Sequence, residues 1–464
     1  MLDKFKSISQ SAAGKAAQGA SKAAKSAGKT ASSLNKNAQE SVQSARTKRK
    51  SGKAEYIVAL DVGTEFVKAL VAQVTNDGED AEIIGVGRTH QSLSDMQAGA
   101  ISDIASVVDN CDKALAQAEK QAGVTARTAM IGIAGELVKG TTTAVKFTRK
   151  DAAKPMDVLE VEKIIHLVQQ KAEARAKEQL AMELGGKDVQ VRLVNSALVS
   201  IDIDGYKVTN PIGFQGQEVL VQLYTAFAPL IHIGALEKTA QELDLDLLAV
   251  AAEPFAVARS IIGDDPNANL SAILMDIGGG TTDIAVIDEG GVQGTKMFGI
   301  GGRAFTRGIE RDLNVNYEDA EDYKVRLSNQ QLPQNKIAPV EAALGKTVDV
   351  WINGVELALS EFTKLDSLPH RLLLCGGGSS LDMVMDELHD SDWYKDLAFT
   401  RRLDVQLIHP EQIVGITNQT ETKIDHTFVT AMGLLRVGLD TLQQAVPPKQ
   451  SSTVKERLDK MLRT

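Results

Sequence analysis

One pattern occurs twice in this chain, and the repetition constrains its fold more than any other feature. In residues 274–287, LMDIGGGTTDIAVI, an apolar run ends in Asp276. Three glycines (Gly278, Gly279, Gly280) and the pair Thr281–Thr282 follow, and after Asp283 the apolar run resumes. This reads as a β-hairpin with a tip suited to phosphate: glycines let backbone N–H groups converge on an anion, and threonine hydroxyls add donors. Asp276, closing a buried strand, suits the hydration shell of Mg²⁺, which keeps its waters and takes few direct protein oxygens. A Gly-rich turn with solvated carboxylates would look the same in isolation. Residues 58–72, VALDVGTEFVKALVA, supply the partner: strand, Asp61, Gly63–Thr64, then a strand from Phe66. Each copy is followed by a third strand-like run, Ile83–Gly87 and Val292–Phe298. Two such units predict a duplicated α/β domain clamping one nucleotide between its halves.

The other stretches can be read in order. Ile101 to about Ala122 has helical periodicity and stops at Gly123. Residues 130–147 read as strand, turn and strand, Val158–Leu184 as a long helix, Val189–Ile203 as an alternating strand pair, and 204–217 as a Gly/Pro-marked loop. Val219–Phe227 (strand), Ile233–Leu243 (helix) and Leu247–Ala251 (strand) return to the first domain. Glu253 then opens a helix with Pro254 in its first turn. After the second copy, Gly301 and Gly302 open a helix whose N–H groups can face phosphate, and residues 318–324 form another. Residues 330–366 look polar and turn-rich, with a strand pair, Val348–Ile352 and Val355–Leu359, around the hairpin signal Asn353–Gly354. Arg371–Cys375 reads as a buried strand leading through Gly376, Gly377, Gly378 and Ser379 to a helix from Leu381, and Thr430–Gly438 as a final helix stopped by Pro447–Pro448.

This ordered set resembles the actin-like ATPase superfamily (actin, sugar kinases, heat-shock chaperone ATPases, MreB, FtsA) over almost all of residues 54–440. The strand–helix–strand insertion and the run Asn210–Pro211–Ile212–Gly213 resemble FtsA and its pilus-assembly relative PilM. The resemblance implies an α/β fold of duplicated actin-like ATPase (ribonuclease H-like) domains with an FtsA/PilM-type inserted subdomain. It also implies ATP with Mg²⁺. Asp61 and Asp276 would organise the metal, and Gly63, Thr64, Lys68, Gly278, Gly279, Gly280, Thr281, Thr282, Gly301 and Gly302 would lie along the phosphates. Glu321 and Lys324 would reach the ribose, and Gly376, Gly377, Gly378 and Ser379 the adenosine. Glu253 would position a water for in-line attack on the γ-phosphate. A helix-start carboxylate stabilised by the dipole also accounts for Glu253, and an exposed i,i+3 pair for Glu321 and Lys324. The 330–366 region departs from FtsA, being shorter and without its long helices, so two partners stay open: an FtsZ-type polymer in cell division, or a pilus-assembly membrane protein for a PilM-like adaptor. A sugar kinase or chaperone ATPase fits less well, given the insertion and the lack of a substrate domain after residue 440.

Charge is unevenly placed. Residues 1–53 hold twelve Lys/Arg against Asp3 and Glu40, a net of +10, whereas the remaining 39 basic and 59 acidic side chains give −20. That basic, Ala/Ser/Lys-rich segment cannot bury a core and reads as a disordered arm, either solvated or in contact with anionic lipid or an acidic partner. Lacking aromatics apart from Phe5, it is not read as a nucleic-acid binder. Two distant cysteines, Cys111 and Cys375, argue against a zinc site or disulfide framework. No apolar run has the length of a membrane span, so the chain is expected in the cytoplasm, peripheral to the inner face of the membrane. After Pro447–Ser452, Val454, Leu458, Met461 and Leu462 fall on one helical face flanked by Lys455, Arg457, Lys460 and Arg463. This is a weak anchor for anionic lipid that would gain avidity by self-association into filaments. Packing on the protein's own domain or on a partner would explain that face as well. The expected organisation is arm 1–53, domain I 54–126, inserted subdomain 127–212, return 213–266, domain II 267–445 with a small subdomain near 325–366, and linker and helix 446–464.

Overall fold

The computed structural model describes residues 55–186, 189–263, 269–390 and 392–445; the expectations for the basic arm and the C-terminal helix, including Val454, Leu458, Met461 and Leu462, lie outside them. In chain order the elements are β1 (Tyr56–Val62), β2 (Phe66–Thr75), β3 (Asp80–His90), β4 (Met96–Gln97), β5 (Ala100–Ile101), α1 (Ile104–Ala122), β6 (Thr128–Ile133), β7 (Lys139–Thr148), α2 (Val158–Glu183), β8 (Val191–Ile203), β9 (Tyr206–Val208) and β10 (Glu218–Pro229). There follow α3 (Leu230–Glu242), β11 (Asp246–Ala252), α4 (Glu253–Ile262), β12 (Ala272–Ile277), β13 (Thr282–Asp288), β14 (Gly291–Phe298), α5 (Gly302–Leu313), α6 (Tyr317–Ser328), α7 (Gln334–Ser360), β15 (Arg371–Cys375), α8 (Asp382–Asp390), β16 (Asp404–Leu407), β17 (Ile416–Asn418) and α9 (Val429–Ala445).

The duplication is visible in the strand order. The first sheet runs β11-β6-β1-β2-β3, closed by β17, and the second begins β16-β15-β12-β13-β14. In both, a three-strand antiparallel meander carries two parallel strands beside its first member. β1 and β12 are buried along nearly their whole length because sheet neighbours and helices cover them, which is why both read as continuous apolar runs. Each run ends in a carboxylate where the sheet meets the cleft. Helix α1 begins at Asp103, whose carboxylate accepts the N–H groups of Ala105 and Ser106, and lays Val107, Cys111, Ala114, Leu115 and Ala118 on the first sheet.

The insertion has different limits from those expected. β6 was expected to open it but pairs in parallel with both β1 and β11, inside the first sheet. β10 was expected to return to the first domain but pairs antiparallel with β7 and β8. Residues 191–203 are one strand with two register shifts along β10 rather than a strand pair. β7, β10, β8 and β9 extend the second sheet to nine strands, with β7 paired to β14 at Gly294–Thr141 and Thr295–Gly140. Val161, Ile164, Ile165 and Val168 of α2 pack on Ile201, Val219 and Val221 to give this unit its own core.

The strand pair expected at Val348–Ile352 and Val355–Leu359 does not form. Those residues lie within α7, a continuous 27-residue helix, so the long helix expected to be missing from this region is present. Its apolar residues recur at helical spacing: Val340, Ala343, Leu344, Val348, Trp351, Ile352, Val355, Ala358 and Leu359 are all buried. Full burial of a large apolar side chain stabilises by about 1.5–3 kcal/mol each, far more than a two-residue turn preference. Gly354 serves packing rather than turning: a Cβ there would stand 3.0 Å from the Phe298 ring.

Candidate functional site

The meanders of the two sheets turn their tips toward each other, and the space between them is a cavity of 440 Å³. Its walls include Asp61, Gly63, Thr64, Lys68, Glu253, Asp276, Gly278, Gly279, Gly280, Thr281, Gly302, Glu321, Lys324, Gly376, Gly377 and Gly378. Most residues singled out from sequence are thus brought to one place. The tips nearly touch: a Cβ on Gly279 would fall 2.6 Å from Cβ of Glu65, and one on Gly280 would fall 2.5 Å from Oγ1 of Thr64.

Three expected residues stand elsewhere. Thr282 is turned into the second domain's core, where its hydroxyl donates to the carbonyl of Ile300 at 2.7 Å and accepts from Nε1 of Trp351 at 2.9 Å. Adjacent strand residues face opposite ways, so Thr281 takes the cavity side and Thr282 the core side. Ser379 is buried, its hydroxyl donating to the carbonyl of Gly376 at 2.6 Å, while Ser380 lines the cavity instead. Gly301 packs against the carbonyls of Gly278 and Thr281, and the start of α5 is spent on the second tip. The N–H of Gly302 donates to Gly278 at 2.8 Å and that of Arg303 to Gly279 at 2.7 Å. These donors therefore stiffen the hairpin rather than face an anion.

The deepest part of the cavity is a charge cluster. Lys68 Nζ donates to Asp61 Oδ2 at 3.0 Å. Burial opposes its charge, but Asp61, Asp276 and Glu253 outweigh burial and hold the ammonium above its ordinary range. Glu253 is pushed well above the usual carboxylate range by burial first, then by Asp61, Asp283 and Asp276. Asp283 is raised similarly, by burial and by Asp276. Asp276 is raised by burial, with Lys68 and a hydrogen bond from Thr430 working against the rise. Three acids thus act on one lysine, Asp283 adds to the crowding of carboxylates, and its Oδ1, although buried, has no hydrogen-bond partner among the described residues. An excess of buried carboxylate with an orphaned oxygen fits a bound divalent cation, which would return the acids toward their ionised forms. Among the described residues no three acids, histidines or cysteines form a closed ligand cage.

Farther along the cavity, Lys324 Nζ donates to Glu321 at 2.7 Å, to the Thr306 hydroxyl at 2.7 Å and to the Gly302 carbonyl at 3.1 Å. The pair is therefore an i,i+3 ion pair that also forms part of the cavity wall. Arg88, Glu65, Arg303, Asp283, Ser328 and Asn329 line the cavity too and were not singled out from sequence. Asp283 and Glu65 stood in view inside the repeated motif. The others come from positions with no pattern of their own.

A family profile described as "Cell division protein FtsA" matches residues 273–433. The cell division protein FtsA of Pseudomonas aeruginosa is 27% identical over 410 residues, covering 84% of this chain and 90% of the relative. That of Neisseria meningitidis is 23% identical over 87% of this chain and 94% of the relative. Among solved structures, a chain of the PilM-PilN type IV pilus biogenesis complex superposes with a TM-score of 0.59 at 15% identity, covering 82% of this chain and 98% of that one. The twin meanders, the insertion between them and these likenesses agree: the chain has the actin-like ATPase fold and is similar to FtsA in sequence and to PilM in structure.

Proposed function

We propose that the cleft binds ATP with Mg²⁺, and that the protein is an FtsA-type component of cell division joining an FtsZ-type polymer to the inner face of the membrane. The observation that carries the nucleotide reading is the convergence of Asp61, Asp276 and Glu253 on Lys68, with Asp283 in the same cavity, between two glycine-rich tips. The tips offer backbone N–H groups and the hydroxyls of Thr64 and Thr281 to phosphate, with Lys68 as the cation between them. Asp61 and Asp276 would hold the metal, whose charge stabilises phosphate oxygens when bound. Gly376, Gly377 and Gly378 line the same cavity as Val325, Ser328 and Asn329 of α6, and together these would receive the base, with Glu321 and Lys324 at the sugar. Glu253, at the start of α4, would orient a water for slow hydrolysis. The division role rests on the near full-length likeness to FtsA. A PilM-like adaptor role is the second reading, favoured by the superposition on the PilM-PilN structure. Among the described residues no helix is long and apolar enough to cross a membrane, so attachment would be peripheral.

Titration calorimetry of the parent and of Asp276→Ala tests the site: the variant should lose Mg·ATP binding while keeping its far-ultraviolet circular dichroism. Equal affinities would remove Asp276 from the site. Co-sedimentation with an FtsZ-type polymer on anionic vesicles tests the role. Retention of that polymer only when the protein is present supports division, whereas capture of a pilus-assembly membrane peptide instead supports the adaptor reading.

A further inference from the structure

We propose that Arg303 is the positioning residue of this cleft, a bracket that fixes the separation of the two phosphate hairpins; the proposal rests on the nucleotide reading above. The second tip is held by the main chain of Arg303, through its N–H to the Gly279 carbonyl at 2.7 Å. The first tip is held by its side chain. Nε donates to Oε2 of Glu65, the residue after Thr64, at 2.7 Å. Nη1 reaches the carbonyls of Leu93 and Met96 at 3.4 Å each, and Nη2 those of Gln91 and Ser92 at 3.3 and 3.2 Å. Gln91 in turn donates its side-chain amide to the Gly63 carbonyl at 2.9 Å, so the loop that receives the guanidinium also braces the first tip.

One residue of the second domain thus satisfies acceptors on the first domain with its planar fork while its own backbone is tied to the opposite hairpin. The residue is only 8% exposed, and its bonds to the Gln91 and Met96 carbonyls are buried, so leaving those two acceptors unmatched would strand buried polar groups. A lysine has one compact charge and cannot reproduce the fork. Each phosphate-binding tip is complete in itself; what Arg303 adds is their distance. A triphosphate must touch both tips. If the closed spacing is populated only part of the time, the apparent dissociation constant rises by the inverse of that fraction. Adenosine, held by Gly376–Gly378 and α6 on one domain, needs no such spacing.

The test uses the full chain as parent, Arg303→Gln and Arg303→Lys. Affinities for Mg·ATP and adenosine are read by calorimetry. Spin-label distances are read between Lys120→Cys on α1 and Ala342→Cys on α7, which are exposed, whereas the native Cys111 and Cys375 are buried. Arg303→Gln should weaken Mg·ATP by about fivefold or more, leave adenosine within about twofold, and broaden the distance distribution toward longer values; Arg303→Lys should fall between. Unchanged Mg·ATP affinity with an unchanged distribution overturns the proposal. Equal losses for Mg·ATP and adenosine also overturn it, since they describe a general loss of stability. If the parent binds no Mg·ATP, the nucleotide reading fails by itself, and the nucleotide-free distances decide the bracket: broadening in Arg303→Gln supports it and no change refutes it.

Discussion

Replacing Thr282 by valine tests whether its hydroxyl serves the core or a phosphate. The two side chains have nearly the same shape, so the change removes one hydroxyl and little volume. Thr282 and Trp351 are both wholly buried, so the indole N–H that now donates to Oγ1 at 2.9 Å has no water to turn to. Stranding a buried donor costs about 1–3 kcal/mol. The Ile300 carbonyl, which receives the hydroxyl proton at 2.7 Å, is half-buried and can recover part of its loss from solvent. The sum is about 2–3 kcal/mol, which at a urea slope of about 1–3 kcal/mol per molar moves the unfolding midpoint by about 1 M. Trp351 and Trp393 both belong to the second domain, so tryptophan fluorescence reports the unit in which the bond sits. Trp351→Phe removes the donor from the other side, and the double variant should show a coupling of about 1 kcal/mol. Mg·ATP affinity should stay within about twofold of the parent, because the hydroxyl does not reach the cavity. An unchanged midpoint together with a tenfold loss of Mg·ATP affinity would refute the reasoning and return Thr282 to the phosphate site.

Two further outcomes are expected. The Glu253 carboxyl is raised by burial and by Asp61, Asp283 and Asp276, so the folded state keeps a proton that the unfolded chain releases near the ordinary value of 4.5. Its stabilisation is complete below that value and is lost as pH rises through the folded-state value. Without nucleotide or metal, the melting temperature of the parent should therefore fall more as pH rises above the ordinary carboxylate range than that of Glu253→Gln; parallel curves would show that Glu253 does not titrate in this way. For the membrane, deleting residues 451–464 should reduce binding to anionic vesicles in a co-sedimentation assay. If only deletion of residues 1–53 does so, the basic arm is the anchor.

How much of this was legible in the sequence depended on whether a feature is encoded by neighbouring residues. Each hairpin tip is a contiguous string, strand–Asp–Gly–Thr–strand, and it occurs twice. The location of the cleft and the meeting of Asp61 and Asp276 in its walls followed from that repetition. What was missed depends on partners far away in the chain. β6 and β10 were recognised as strands, but which sheet accepts a strand is decided by its hydrogen-bonding neighbour, and nothing in Thr128–Ile133 or Glu218–Pro229 records that choice. Arg303 meets Glu65 across 238 positions, so neither residue carries a local mark of the other.

The errors over α7 and over Thr282 are of another kind, because the deciding signal was present and was outweighed by a more familiar one. Around Asn353–Gly354, short apolar runs on either side of a turn dipeptide look like a hairpin when read in windows of five. Read over the whole span from Val340 to Leu359, the same residues recur every three or four positions, and only a helix puts all of them on the second domain's core. The glycine then meets a different demand, the close approach of the Phe298 ring. At the second tip, two adjacent threonines looked like two hydroxyl donors for one anion. Once the strand begins at Thr282, the two-residue period of β-structure forbids both from facing the cavity. One threonine is left facing the cavity, and the other ties the hairpin through Trp351 to the long helix behind it. Any force that opens or shifts the second tip therefore acts on α7 as well, so the tip and the helix behave as one mechanical unit.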